Sequence, residues 1–167
     1  MIWFLLENRF YLYYGALVAL TVMAFWKGAG PEKIMVGLFW GTIVLPHQIY
    51  HAFAGRYVHL DIFDLTHFAF DAALCVGAIA AALYANRIYP LWFAGFQIIA
   101  VQSHLARATT DNIAPLAVGI MQIGPSYLQI ITLAIGLWAH IRREKSYGPY
   151  RSWRVPSWRQ GPPGQTA

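Results

Sequence analysis

Charged residues are scarce in this sequence. They make up 11% of the 167 residues, whereas a typical globular domain has about 25%. Hydrophobic residues account for 58% of the chain, and the mean hydropathy is +0.45. So few charges cannot cover a surface that faces water on all sides. The composition therefore excludes an ordinary water-exposed domain and predicts a protein embedded in a membrane.

Several catalytic and cofactor motifs are also missing. The one cysteine, Cys75, excludes an internal disulfide and any cysteine-rich metal motif. The chain lacks the Gly-rich nucleotide loops, the Gly-x-Ser-x-Gly turn of serine hydrolases and the Cys-x-x-Cys-His motif of c-type haem attachment. His47 is followed by Gln48, so the zinc-protease motif His-Glu-x-x-His is absent as well. Nucleotide-driven transport by this chain and serine hydrolysis consequently have no support.

Long apolar blocks divide the chain. A spanning helix needs about 20 apolar residues, and the sequence contains about five such blocks followed by a polar tail. We therefore predict an all-α, polytopic bundle over residues 1–140 and a tail over residues 141–167. The first block has no clear signal-peptide cleavage site, so we interpret it as a retained span. A four-span bundle with the first or fourth block at the interface is the alternative. The predicted spans are residues 10–26, 34–53, 61–85, 88–106 and 113–140.

The distribution of lysine and arginine predicts the orientation. With five spans, nine of these residues fall on one side and three on the other. Because cytoplasmic loops carry the excess of basic residues, the amino terminus should lie outside and the tail in the cytoplasm. This arrangement is typical of a bacterial inner-membrane protein. The larger group is Lys27, Lys33, Arg87, Arg142, Arg143, Lys145, Arg151, Arg154 and Arg159, and the smaller is Arg9, Arg56 and Arg107.

Small residues and prolines indicate how the spans pack and bend. Gly37 and Gly41 form a Gly-x-x-x-Gly pattern, which permits close helix contact. The stretch 72–82 is rich in alanine and also favours tight packing. Pro115 and the Gly124-Pro125 pair should bend the last block, because proline removes a backbone hydrogen bond.

Histidines and aspartates converge near the predicted outer face. His47 and His51 are one helical turn apart and so share a face. The third block begins with Asp61 and Asp64, followed by His67 and then Asp71, all in one sector of a helix. Ionisable residues inside spans are costly and tend to mark function. The fourth block adds Gln97, His104 and Arg107 on one face.

This pattern predicts a transition-metal site. Two imidazoles on one helix face, joined by a histidine and a carboxylate from a neighbouring helix, suit zinc, iron, copper or manganese. We expect Asp61, Asp71, Arg107 and Gln97 to support the ligands or to carry protons. These residues alone do not decide whether such a site only binds the metal ion or also catalyses a reaction with it. The candidate ligands are His47, His51, Asp64, His67 and His104.

Other uses of the same cluster remain open. The histidines could simply pair with carboxylates and carbonyls and hold the helices together. The chain would then be a non-catalytic accessory or assembly subunit of a larger membrane complex. Axial histidines on different helices could also clamp haem b. A further alternative is a proton-linked or quinone-linked role in which Asp71 titrates beside Arg107 or a histidine.

The tail alternates cations with tryptophans. Such a segment beside a span favours anionic lipid head groups, at roughly 1 kcal/mol per basic residue near the surface. A partner subunit is the other candidate. No folded nucleic-acid reader accompanies the basic patch, so specific nucleic-acid binding is not expected. The predicted contact residues are Arg142, Arg143, Lys145, Arg151, Trp153, Arg154, Trp158 and Arg159.

Overall fold

A computed structural model describes residues 9–54, 65–109 and 115–154. Asp61, Asp64, Trp158 and Arg159 lie outside these ranges. Within them every regular element is helical, which confirms the all-α prediction. The helices are α1 (Arg9–Lys27), α2 (Gly30–Phe39), a π turn (Trp40–Val44), α3 (Leu45–Ala54), α4 (Leu65–Tyr84), α5 (Tyr89–Thr109) and α6 (Pro115–Tyr147).

The π turn joins α2 and α3 into one continuous helical segment. The backbone N–H of Leu45 donates to the carbonyl of Trp40, five residues earlier. Pro46 explains the widened turn: it has no N–H to donate, and in an α-helix its ring would clash with the carbonyl of Thr42. π turns inside α-helices often occur at functional sites. This one directly precedes His47.

The core lies between α5 and its two neighbours, α4 and α6, and includes buried residues of α1 and α2 such as Leu17 and Met35. Gly136 of α6 lies against the ring of Tyr89, where a Cβ would come within 2.5 Å of Cγ. Gly77 of α4 lies against the side chain of Leu38. Among the residues that the structure describes, the close contacts expected at Gly37 and Gly41 are not found, because a Cβ at either position would meet none of them within 4 Å. Tight packing thus involves the small residues of α4 and α6 instead.

Of the two prolines expected to bend the last block, only Pro125 lies in the interior of α6. Pro115 begins the helix, a position where its missing N–H is harmless, so it does not bend the helix interior. Pro125 lies inside the helix, which continues past it. The helix also runs to Tyr147, beyond the point where we expected the irregular tail to begin.

The segment after α6 packs against one end of the bundle. The backbone N–H of Asn86 donates to the carbonyl of Ser152 at 3.1 Å, and that of Arg154 donates to Tyr84 at 2.9 Å. The indole of Trp153 lies over Gly30, where a Cβ would be 2.7 Å from Nε1. We call residues 148–154 the strap. It ties the end of α6 to the α4–α5 turn and the start of α2.

A buried ion pair lies beneath the strap. Arg87 Nε is 2.9 Å from Glu32 Oε1, and both side chains are at most 5% exposed. Glu32 also accepts a hydrogen bond from the backbone N–H of Ala29, at the start of α2. Arg87 donates to the hydroxyl of Tyr150 and stacks on its ring. His140 Nδ1 is 2.9 Å from the same hydroxyl.

One of the described helices, Leu65–Tyr84, is long and apolar enough to cross a membrane by length and composition. Helix α5 is similar in length but contains Gln97, Gln102 and His104, whose polar side chains lower its hydropathy. Large apolar side chains on the outside of the bundle are more than half exposed; they include Val76, Leu83, Trp92, Ile120 and Trp138.

Candidate metal centre

Three histidines from two helices meet at one point. His47 and His51 occupy successive turns of α3, so their side chains share a face. His67 lies in the first turn of α4 and faces them. Each of the three offers a ligand atom, and these atoms all lie within 4.8 Å of one another. The three side chains are therefore close enough to hold a metal ion. We call them the histidine triad.

The rings of the triad are in direct contact. His67 Nε2 is 3.1 Å from His47 Nδ1. The ring centroids of His47 and His51 are 4.3 Å apart, and those of His47 and His67 are 5.0 Å apart, in both cases edge to face. All three residues of the triad are half-buried.

Aromatic residues flank the triad. The ring of Tyr50 meets those of His51 and His67 edge to face, with centroids 5.4 and 5.3 Å away. Phe70 packs against His67 from the next turn of α4. Such packing restricts the imidazole rotamers and lowers the entropy lost when a ligand binds. Tyr50 is not among the residues predicted for the site, although its place between His47 and His51 in one helix is a usable signal.

The distance between His67 and His47 is compatible with a first-row transition metal. With Zn–N bonds of about 2.0–2.1 Å, two nitrogens of a tetrahedral site lie about 3.3 Å apart. The 3.1 Å between His67 and His47 is close to this value. The same distance also suits a hydrogen bond, in which one ring supplies an N–H and the other a lone pair. A metal ion would replace that proton and use both lone pairs.

The structure places His104 differently from the prediction. His104 of α5 lies outside the triad, and its Nε2 is 2.9 Å from Asp71 Oδ2. The side chain of His104 is 6% exposed and that of Asp71 is 22% exposed. Phe68 packs against the His104 ring. Among the residues predicted as metal ligands, then, His47, His51 and His67 come together, and Asp64 lies outside the described ranges.

Two of the predicted supporting residues, Asp71 and Gln97, take part in a hydrogen-bond network. Gln97 Nε2 donates to Asp71 Oδ1 at 2.7 Å and to the Asp71 carbonyl at 3.0 Å. Gln129 of α6 donates to Gln97 Oε1 at 2.7 Å. Both glutamines are fully buried. Arg107, half-buried, lies one turn after His104 on α5; Asp61 is not among the described residues.

Comparison with protein-family models, with curated proteins and with solved structures finds no match.

Proposed function

We propose that this chain is an integral membrane protein of five spanning segments that binds one transition metal ion through the histidine triad. The observation that carries the proposal is the convergence of three imidazoles within 4.8 Å from two separate helices. Imidazole suits zinc, copper, iron and nickel. We choose zinc as the first ion to test because its filled d shell imposes no preferred coordination geometry.

The triad supplies three ligands and leaves a fourth position. Three protein ligands plus a water or substrate are typical of catalytic zinc, whereas structural zinc is closed by four protein ligands. Half-burial of the triad is consistent with an open position. We therefore also propose that an exchangeable water molecule occupies the fourth coordination position of the ion. Asp64, which the sequence also predicts as a ligand, would occupy this fourth position in place of the water.

The membrane placement rests on surface chemistry. Helix α4 has the length and composition of a span, and α4, α5 and α6 all expose large apolar side chains that lipid would cover. The turns that carry Lys27, Lys33 and Arg87 lie at the end of the bundle where the strap packs. Basic residues gathered at one end favour a cytoplasmic position for that end. The triad then lies toward the outer face.

A cysteine-labelling experiment tests this placement. In a Cys75→Ser background, a cysteine at the exposed Tyr147 position should resist a membrane-impermeant maleimide in intact bacterial cells and react after lysis. A cysteine at Thr109, at the opposite end of α5, should react in intact cells. Labelling of Tyr147→Cys from outside would refute the orientation. Release of the chain by alkaline carbonate would refute integral insertion.

Zinc titration tests the metal site. Detergent-purified protein, stripped with a chelator, is titrated with zinc against a chromophoric competitor. We expect one saturable site per chain. His67→Ala should lower the affinity by at least tenfold, since it removes one of three ligands, and His47→Ala/His51→Ala should abolish binding.

His140→Ala is the matched control, because His140 lies at the other end of the bundle beside Tyr150. We expect this variant to bind zinc with unchanged stoichiometry and affinity. Equal affinity of wild type and His67→Ala would overturn the proposal, as would a wild type without a saturable site.

A second candidate function follows from the 3.1 Å contact between His47 and His67. A hydrogen bond at this distance would join α3 to α4 without a metal, as expected for a structural or accessory subunit. In that case His67→Ala would lower thermal stability in metal-free protein, and added zinc would not raise the stability of the wild type. A zinc-dependent rise in Tm, absent from His67→Ala, distinguishes the metal site from this alternative.

We also propose that the basic carboxyl end of α6 binds anionic lipid head groups. The last turns of α6 expose Arg142, Arg143 and Lys145 at the strap end of the bundle. Each basic residue near an anionic surface contributes about 1 kcal/mol. Replacing all three with glutamine should lower the amount of phosphatidylglycerol that remains bound to the detergent-purified protein and leave the amount of bound neutral lipid unchanged.

A further inference from the structure

The chain turns back on itself where α6 ends. Gly148 has a φ of +74°, and its backbone N–H donates to the carbonyl of Glu144 at 2.9 Å. A residue with positive φ directly after a helix closes the last turn, and glycine adopts this conformation without strain. The strap therefore runs back beside the helix, so that Tyr150 reaches His140, ten residues earlier in the chain.

Two tryptophans give this end of the bundle the chemistry of a lipid–water interface. Trp26 of α1 and Trp138 of α6 are both exposed. Lys27 Nζ lies 5.0 Å from the centre of the Trp26 ring, and Arg142 Cζ lies 5.3 Å from that of Trp138. Tryptophan prefers the head-group level of a bilayer, and a cation over its ring is attracted by the π electrons. Both pairs suit a position among lipid head groups.

Positive charge dominates the exposed surface at the same end. Among the residues that the structure describes, Glu144 has the one exposed carboxylate. The other carboxylate at this end, Glu32, is buried against Arg87. Such a surface attracts anions. The exposed cations come from the end of α1, the start of α2, the end of α6 and the strap: Lys27, Lys33, Arg142, Arg143, Lys145, Arg151 and Arg154.

Tyr150 joins the strap to two arginines. Arg87 Cζ lies 4.7 Å from the centre of the Tyr150 ring, and Arg143 Cζ lies 5.3 Å from it. Arg87 is buried, whereas Arg143 is exposed. The docked strap therefore lies directly beside an exposed cation of α6.

Backbone contacts fix the positions of the two strap arginines. The carbonyl of Arg151 accepts a hydrogen bond from Asn86 Nδ2 at 3.4 Å. The N–H of Arg154 donates to the carbonyl of Tyr84 at 2.9 Å. Both arginine side chains are exposed, whereas Trp153 between them is half-buried. The strap thus holds two cations at the basic end of the bundle through its backbone and one indole.

We infer that the docked strap and the carboxyl end of α6 form one binding surface for the phosphate of an anionic phospholipid, to which the strap contributes Arg151 and Arg154. This inference rests on the proposed binding of anionic head groups by α6. Arginine binds phosphate oxygens with paired N–H donors. Because docking already restricts the strap, its arginines lose less conformational entropy on binding than they would on a loose tail. Docking of the strap therefore raises the affinity for the lipid.

A lipid titration tests the inference without removing any charge. Full-length protein, delipidated in detergent, is titrated with short-chain phosphatidylglycerol and, separately, with phosphatidylcholine of the same chain length. Gly30→Ala keeps every basic and aromatic side chain, but its Cβ would lie 2.7 Å from Trp153 Nε1 and should displace the strap. We expect the Kd for phosphatidylglycerol to rise about tenfold, because two basic residues leave the surface. The Kd for phosphatidylcholine should not change.

Gly95→Ala is the matched control, because a Cβ there meets none of the described residues within 4 Å. Its Kd for phosphatidylglycerol should equal that of wild type. Arg151→Gln/Arg154→Gln should raise this Kd about tenfold, as Gly30→Ala does. Trypsin cleavage of the strap, measured on the same samples, should be faster in Gly30→Ala than in the control.

Faster cleavage of Gly30→Ala with an unchanged Kd for phosphatidylglycerol would overturn this inference and leave lipid binding by α6 intact. An unchanged Kd in Arg151→Gln/Arg154→Gln would do the same. Should Gly30→Ala fail to fold or keep the strap docked, Trp153→Ala takes its place, since it removes the indole and again keeps every charge; the same tenfold rise is expected. A wild type that binds both lipids equally would overturn the inference together with the proposal on which it rests.

Discussion

The ion pair between Glu32 and Arg87 offers a quantitative test of the fold. Glu32→Gln keeps the shape of the side chain and removes its charge, which leaves the Arg87 guanidinium at 5% exposure without its counter-ion. Removing one partner of a buried pair costs about 3–5 kcal/mol. Arg87 retains Tyr150 as a hydrogen-bond acceptor and stacking partner, so we expect the lower end, about 3 kcal/mol. For a chain of this size that lowers Tm by roughly 6–12 °C.

Thermal unfolding in detergent, followed with a thiol-reactive dye at Cys75, measures this effect. Glu144→Gln is the matched control, because Glu144 approaches His140 at 3.8 Å but its side chain is 47% exposed. We expect the control to change Tm by no more than about 2 °C. Glu32→Gln/Arg87→Met should recover part of the loss, since it leaves no buried charge. A Tm for Glu32→Gln within about 2 °C of wild type would refute the reasoning.

Two packing predictions follow from the same structure. Gly136→Ala should destabilise the bundle by about 1–3 kcal/mol, because its Cβ would come within 2.5 Å of the Tyr89 ring. The control is Gly95→Ala, which should be neutral or slightly stabilising, because a Cβ there meets none of the described residues within 4 Å. Equal Tm values for the two variants would contradict this contact. Trp153→Ala should lower Tm and speed trypsin cleavage of the strap, because the indole that covers Gly30 is lost. An unchanged cleavage rate would show that the strap is not held by Trp153.

The all-helical class could be predicted from the sequence because long apolar blocks allow little else in a membrane. The proximity of His47 and His51 could also be predicted from the sequence, since a spacing of four residues places two side chains on the same face of any helix. Which histidine from another helix joins them could not be predicted. His67 and His104 lie at similar predicted depths, and the choice depends on how α4 and α5 rotate against each other.

Local backbone features account for further differences. The extra residue of the π turn before Pro46 rotates α3 relative to α2. A prediction that assumes one uniform helical period across the second block omits this rotation. The end of α6 was placed too early, because the basic residues after His140 were assigned to the tail. In the structure they continue the helix to Tyr147, and cations in a last turn are favourable beside the helix carboxyl end.

X-ray absorption at the zinc edge tests the central claim most directly. The full-length protein is loaded with one equivalent of zinc in detergent and compared with His67→Ala. The account predicts nitrogen or oxygen neighbours at about 2.0–2.1 Å, with outer-shell scattering from three imidazoles in wild type and from two in the variant. A spectrum with one imidazole or none, or one that His67→Ala leaves unchanged, would contradict a metal centre at the histidine triad.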